Sequence, residues 1–262
     1  MRVRGLTPRL LLAAALLGIA AGPPPSIELA AHRALYELTL ASARGDITGA
    51  TGTMSYEIGD ACDGWTAHQQ LAMTITNRDG QDTDMLSDYT TYESKDGTTL
   101  QFRARDTTDS NVTSEVGGDA TATADGGEAR YTQPKPTATK LPKGTLFPMA
   151  HTKAIIAAAI AGTKFLEIPL FDGTGAEGAQ DSTIAITSWT PPQPTKWKDL
   201  DTLPSGRVHV AFFKRGNTAQ QPEYEVSMRY WDNGVADDLL MDFGDFTMRG
   251  RLKALVLPRK GC

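Results

Sequence analysis

The sequence predicts an all-β fold, mainly antiparallel, with one short apolar helix, and three observations carry that expectation. Apolar and polar residues alternate with period two over most of the chain, the pattern of strands with one buried face. Turn residues interrupt the alternation about every eight to fifteen positions. A single stretch, residues 148–161, abandons the rhythm for an alanine-rich run.

In chain order, strands are expected at residues 32–41, 52–58, 65–77, 88–94, 99–105, 111–115 and 127–132. Asp96-Gly97 joins the fourth to the fifth, because glycine supplies the positive backbone angle of a tight hairpin. The polar stretch 119–126 reads as turns. Residues 148–161 read as a helix ended by Gly162, apolar nearly all round, and so buried against a sheet or plugging the mouth of a curved one. Strands resume at 182–190 and 207–214, separated by a proline-rich loop at 191–204; residues 173–180 form a glycine-rich loop. The clearest alternation is 223–231, where Tyr224, Val226, Met228 and Tyr230 share one face. Asn233-Gly234 then turns the chain into a strand at 237–248, and 251–257 adds a third. No repeat of fixed period is present.

Composition is that of a globular protein: 262 residues, 40% apolar, 22% charged and 7% aromatic, which excludes collagen-like, coiled-coil and fully disordered classes. The N-terminus is a secretory signal, residues 1–21. Arg2, Arg4 and Arg9 precede an apolar run at 10–21, with cleavage expected after Ala20 or Ala21. That run falls short of the roughly 20 residues that cross a bilayer, and no transmembrane segment is expected in the mature chain. Residues 22–30, with Pro23 to Pro25, read as a disordered tether, and 31–262 as a single β domain. The expected compartment is the periplasm, reached by the general export route, since no arginine pair and no lipid-acceptor cysteine accompany the run. Losing residues 1–20 removes three arginines and takes the formal net charge from −5 to −8. An acidic chain without a basic cluster offers no footprint for nucleic acid.

Two cysteines, Cys62 and Cys262, in an exported chain read as one disulfide, against the alternatives of idle or intermolecular thiols. The bridge closes a loop of about 200 residues, for which chain entropy allows a stabilisation of roughly 5 kcal/mol as an upper figure.

The four histidines, His32, His68, His151 and His209, have no metal-ligand spacing, and no nucleophile elbow, P-loop or dinucleotide fingerprint is present. His151, in the first turn of the helix, is a candidate general base, set against a packing role. Asp237, Asp238, Asp242 and Asp245 are candidates for paired acids of the glycosidase type, set against a solvated hairpin. Trp65, Trp189, Trp197 and Trp231 are candidates for a ligand groove, set against core positions. In each case the packing role is preferred: no catalytic residue, metal or cofactor is assigned, and no ligand-binding residue is singled out.

Ala31-His32-Arg33-Ala34, Cys62-Asp63-Gly64-Trp65, Glu93-Ser94-Lys95-Asp96-Gly97 and Leu146-Phe147-Pro148 with His151 form an ordered set of motifs. Phe171-Asp172-Gly173, Tyr224-Glu225-Val226-Ser227, Asp232-Asn233-Gly234-Val235 and Asp242-Phe243-Gly244-Asp245-Phe246 continue it. Through these the chain resembles the EipB family of envelope-integrity proteins of Gram-negative alphaproteobacteria, over nearly its whole mature length. The resemblance implies a periplasmic, many-stranded, spiral or open-barrel-like antiparallel sheet whose disulfide maps onto Cys62 and Cys262. It implies stress resistance of the envelope and a periplasmic partner of the tetratricopeptide-repeat type, and it brings no catalytic residue. Met149-Ala150 departs from the pattern, where a more polar lead into the helix is expected. Three functions follow as expectations: a non-enzymatic protein that binds another periplasmic protein, a lipid or lipoprotein carrier using the concave face, and an envelope-polymer hydrolase.

Overall fold

The structure, a computed structural model, describes residues 27–216 and 221–258. The signal at 1–21, the first part of the tether and Cys262 lie outside the described residues. Eight strands come first: β1 (His32–Ala43), β2 (Ile47–Asp60), β3 (Gly64–Asn77), β4 (Asp82–Ser94), β5 (Thr99–Thr108), β6 (Asn111–Thr123), β7 (Gly126–Gln133) and β8 (Thr137–Leu141). Helix α1 (Pro148–Ile160) follows. The chain ends in β9 (Phe165–Leu170), β10 (Gln180–Thr190), β11 (Ser205–Lys214), β12 (Tyr224–Trp231), β13 (Ala236–Asp242) and β14 (Phe246–Val256).

All fourteen strands lie in one sheet, ordered β8-β7-β6-β5-β4-β3-β2-β1-β14-β13-β12-β11-β10-β9. Each strand therefore pairs with its neighbour in sequence, except at the middle, where β1 pairs antiparallel with β14. The sheet is unclosed, with β8 and β9 as its edges. Its two ends nevertheless approach. Phe171 and Ala179, from the β9–β10 connection, share a core cluster with Phe102 of β5, Tyr131 of β7 and Leu141 of β8, and Leu146 bridges Leu170. Close strand approach permits the curl: a Cβ on Gly118 would lie 2.1 Å from the Arg130 carbonyl oxygen, beside a register shift between β6 and β7.

The buried face of this curl is the core, and α1 lies in it. Ile155 and Ala159 pack on Ile184 of β10 and Val208 and Val210 of β11. Met149 and Ile156 pack on Ile58 of β2 and Trp65 of β3. A helix that is apolar nearly all round is satisfied only between two sheet faces, and here it touches both halves of the sheet.

The expected all-β, open-barrel-like architecture and the helix are both observed. Several details differ. The strand expected at 237–248 is two strands: Gly244, with φ +90°, turns the chain, and the Asp242 carboxylate accepts the Gly244 N–H at 2.8 Å. The strand expected at 251–257 is the second half of β14. Residues 119–123 continue β6 rather than turning. The end of the predicted tether is packed: Leu29 is buried against Ile58 and Trp65, and the Ala30 N–H donates to the Asn233 carbonyl at 2.8 Å. β8 and β9 were not expected at all.

Candidate functional site

The groups of unusual environment gather where α1 enters the curl. Phe147 provides no side-chain cap and no acidic residue stands in the first turn, so the helix amides need a partner from elsewhere. Glu93, at the end of β4, supplies it: its Oε2 accepts the Met149 N–H at 2.7 Å and its Oε1 the Ala150 N–H at 2.8 Å. Glu93 is 2% exposed. Burial pushes its carboxyl up to about 7, against the downward pull of the two amides and of Lys153. The departure at Met149-Ala150 is thus local, and the polar group of the helix entry comes from β4.

His151, one residue further along, is also buried. Its Nε2 lies 2.8 Å from Ser182 Oγ, and that hydroxyl donates its only proton to the Ile168 carbonyl at 2.6 Å. Ser182 Oγ must therefore accept from His151, which fixes the proton on Nε2. Burial lowers the imidazole to about 4. The pair is a neutral structural link between α1, β10 and β9, with the ring nitrogen that faces the serine already protonated.

The four aspartates do not converge. Asp237 forms a two-pronged pair with Arg229, both contacts 2.9 Å. Asp238 pairs with Arg207 of β11. Asp242 holds the β13–β14 turn through Gly244 and Thr247. Asp245 lies in that turn, where its backbone carbonyl accepts the Arg44 N–H. The tryptophans form no single groove but two groups: Trp65 packs on α1 with Trp189 partly buried against the same cluster, and Trp231 packs with Leu200 and Val235 with Trp197 partly buried against them. The histidines are separate: His32 Nδ1–H donates to the Ala30 carbonyl at 2.8 Å, His68 meets Asp88, and His209 meets Glu225 and Ser227. Among the described residues no group of three or more potential ligands could hold a metal ion, and no helix is long and apolar enough to cross a membrane.

Two open grooves run over the outward face. One, of about 830 Å³, crosses β4 to β7 and includes Thr90, Tyr92, Gln101, Arg103 and Thr121. The other, of about 650 Å³, crosses β1 to β5 and includes Thr51, Thr53, Thr74, Met85 and Leu86. Neither is legible in the sequence, where outward threonines register only as strand formers. Glu93 is equally hidden, because its partners lie 56 and 57 residues away.

Comparison with known proteins now adds to this geometry. The model of EipB-like proteins matches residues 24–258. The cell envelope integrity protein EipB of Brucella abortus (strain 2308) is 31% identical over 244 residues, covering 90% of this chain and 87% of that protein. The crystal structure of a β-barrel-like protein of the DUF1849 domain from Brucella abortus superimposes with a TM-score of 0.82 at 30% identity. The match covers 89% of this chain and all of that one.

Proposed function

The chain belongs to the EipB-like family, and from that premise we propose that it is a non-enzymatic periplasmic protein that supports cell-envelope integrity by binding another periplasmic protein. A role in envelope integrity rests on the relative of that name. The observation that carries the non-enzymatic reading is the fate of the candidate acids and bases: His151 is neutral and engaged with Ser182, and Asp237 and Asp238 are matched by arginines. A periplasmic location is supported by the export signal in the sequence, and a tetratricopeptide-repeat partner by the family resemblance. The test is twofold. A strain lacking the gene should lose viability in detergent and regain it with the full chain, and the tagged protein should recover one recurrent partner from envelope extract. Repeated recovery of none overturns the partner reading.

A second reading, a lipid or lipoprotein carrier, is favoured by inward side chains of the large core cluster. Leu71, Tyr224 and Val226 pack on the core yet keep part of their surface. A lipid-sized adduct that disappears on organic extraction, read by native mass spectrometry, would select it.

The disulfide between Cys62 and Cys262 belongs to the same proposal, and strand register supports it. β2 and β14 flank β1 and run in the same direction, with Arg33 paired to Glu57 on one side and Val256 on the other. Two strand spacings, about 10 Å, separate the two chains there. Glu57 and Val256 thus lie near the same end of the sheet, and in the sequence Cys62 follows Glu57 by five residues and Cys262 follows Val256 by six.

A further inference from the structure

We propose that the edge of β9 at Phe165–Glu167 is a strand-addition site, where an extended segment of the protein partner pairs as a fifteenth strand; this rests on the partner-binding reading above. The phase of the β9–β10 ladder decides which groups are available. Ile186 N–H donates to the Lys164 carbonyl at 2.8 Å, and the register pairs Leu166 with Ile184, Ile168 with Ser182 and Leu170 with Gln180. In an antiparallel pair the hydrogen-bonded positions alternate, so Lys164, Leu166, Ile168 and Leu170 turn their backbone groups to β10. Phe165, Glu167 and Pro169 turn theirs to the open edge. Two contacts confirm the phase: Pro169 carbonyl accepts Leu146 N–H at 2.9 Å, and Phe171 N–H donates to the Leu146 carbonyl at 3.0 Å. Leu146 thus occupies one end of the edge. The N–H and C=O of Phe165 and of Glu167 are left aimed outward, with no strand beyond them among the described residues.

The side chains fit that use. Phe165 is 75% exposed, and Ile160, at the end of α1, is 41% exposed. The other edge is defended in the usual way. β8 is five residues long, lies between Pro136 and Pro142, and has Lys135, Lys140 and Lys143 in or beside it. The only proline of β9 is Pro169, at the end that Leu146 already covers. Cross-strand complementarity gives the chemistry of the added segment: an apolar residue opposite Phe165 and, two positions on, a lysine or arginine opposite Glu167.

The test places the photo-crosslinker p-benzoylphenylalanine at position 165 of the full chain in the parent bacterium, with the same group at exposed Val112 as control. The expected result is one adduct to an envelope protein from position 165 and none from 112. Glu167→Pro should cut that adduct at least tenfold with the melting temperature nearly unchanged, since the N–H it removes serves no protein group. Glu167→Lys, which leaves the backbone intact, should reduce it several-fold through charge. An adduct from Val112 alone keeps the partner and overturns the β9 site. An adduct to a second copy of this chain overturns the partner's identity as another protein. No adduct from either position, together with no recovered partner from extract, sinks the partner reading itself.

Discussion

Glu93 and His151 lie at the two sides of one helix entry, and burial shifts their proton affinities in opposite directions. Glu93 rises from 4.5 to about 7, so between those values the folded chain holds a proton that the unfolded chain has lost. Its stabilisation is complete below pH 4.5 and is lost as pH rises through 7. His151 falls from 6.5 to about 4, so there the unfolded chain holds the extra proton. Its stabilisation is complete above pH 6.5 and is lost as pH falls through 4. Between about pH 4.5 and 6.5 the two slopes, each up to roughly 1.4 kcal/mol per pH unit, offset one another. Urea unfolding across this window should show the cancellation through single substitutions. Relative to the parent, Glu93→Gln should lose stability on acidification, and His151→Gln should gain it. Glu93→Ala leaves the buried Met149 amide and the part-buried Ala150 amide without an acceptor and should cost about 1–3 kcal/mol, most at low pH, where the stabilisation by Glu93 is complete. Nothing in the sequence near Met149 announces this arrangement, because the capping residue comes from another element. His151 was legible as a residue of the first helical turn, and its neutrality was not, since it depends on Ser182 and on burial.

At the scale of the element, alternation located strands well where one face is buried and turns carry glycine. The turn at Asn233-Gly234 is of this kind, with Gly234 at φ +84°. Alternation failed where that contrast fades. β8 is short and proline-flanked, and β9 is only six residues long and carries both Glu167 and Pro169, so both resembled connections. The buried positions change phase at Gly244, from Leu239 and Met241 to Phe246 and Met248, and reading through that shift merged β13 with β14 into one expected strand. The helix was legible by its departure from period two, and its position follows from having no polar face. Ile155 is 1% exposed and packs on β10 and β11. Ile155→Ala should cost about 2–5 kcal/mol in chemical unfolding, whereas Ala157→Ser, at a half-exposed position of the same helix, should cost much less.

For the whole molecule, the proposed link from Cys62 to Cys262 ties the β2–β3 turn to the end of the chain. Cys62→Ser should lower the melting temperature by several degrees, at about 2–4 °C for each kcal/mol lost, and reductant should do the same to the parent but not to the variant. An unchanged melt would show that the thiols contribute nothing. The class of fold was legible because most of the fourteen strands repeat one simple signal. Their order was not, because pairing between β1 and β14 leaves no trace in either strand alone.

That central pairing also orders events in time. Thirteen strand contacts join the sheet, and twelve of them are between consecutive strands, available as soon as each hairpin has emerged. The remaining one needs Phe246–Val256, the last of the fourteen strands to be made. Until it arrives, two unfinished meanders exist, each with a bare central edge along β1 or β13. The wait is long on the scale of hairpin formation, roughly microseconds, and it is the interval in which this chain is most exposed to mispairing and to proteases.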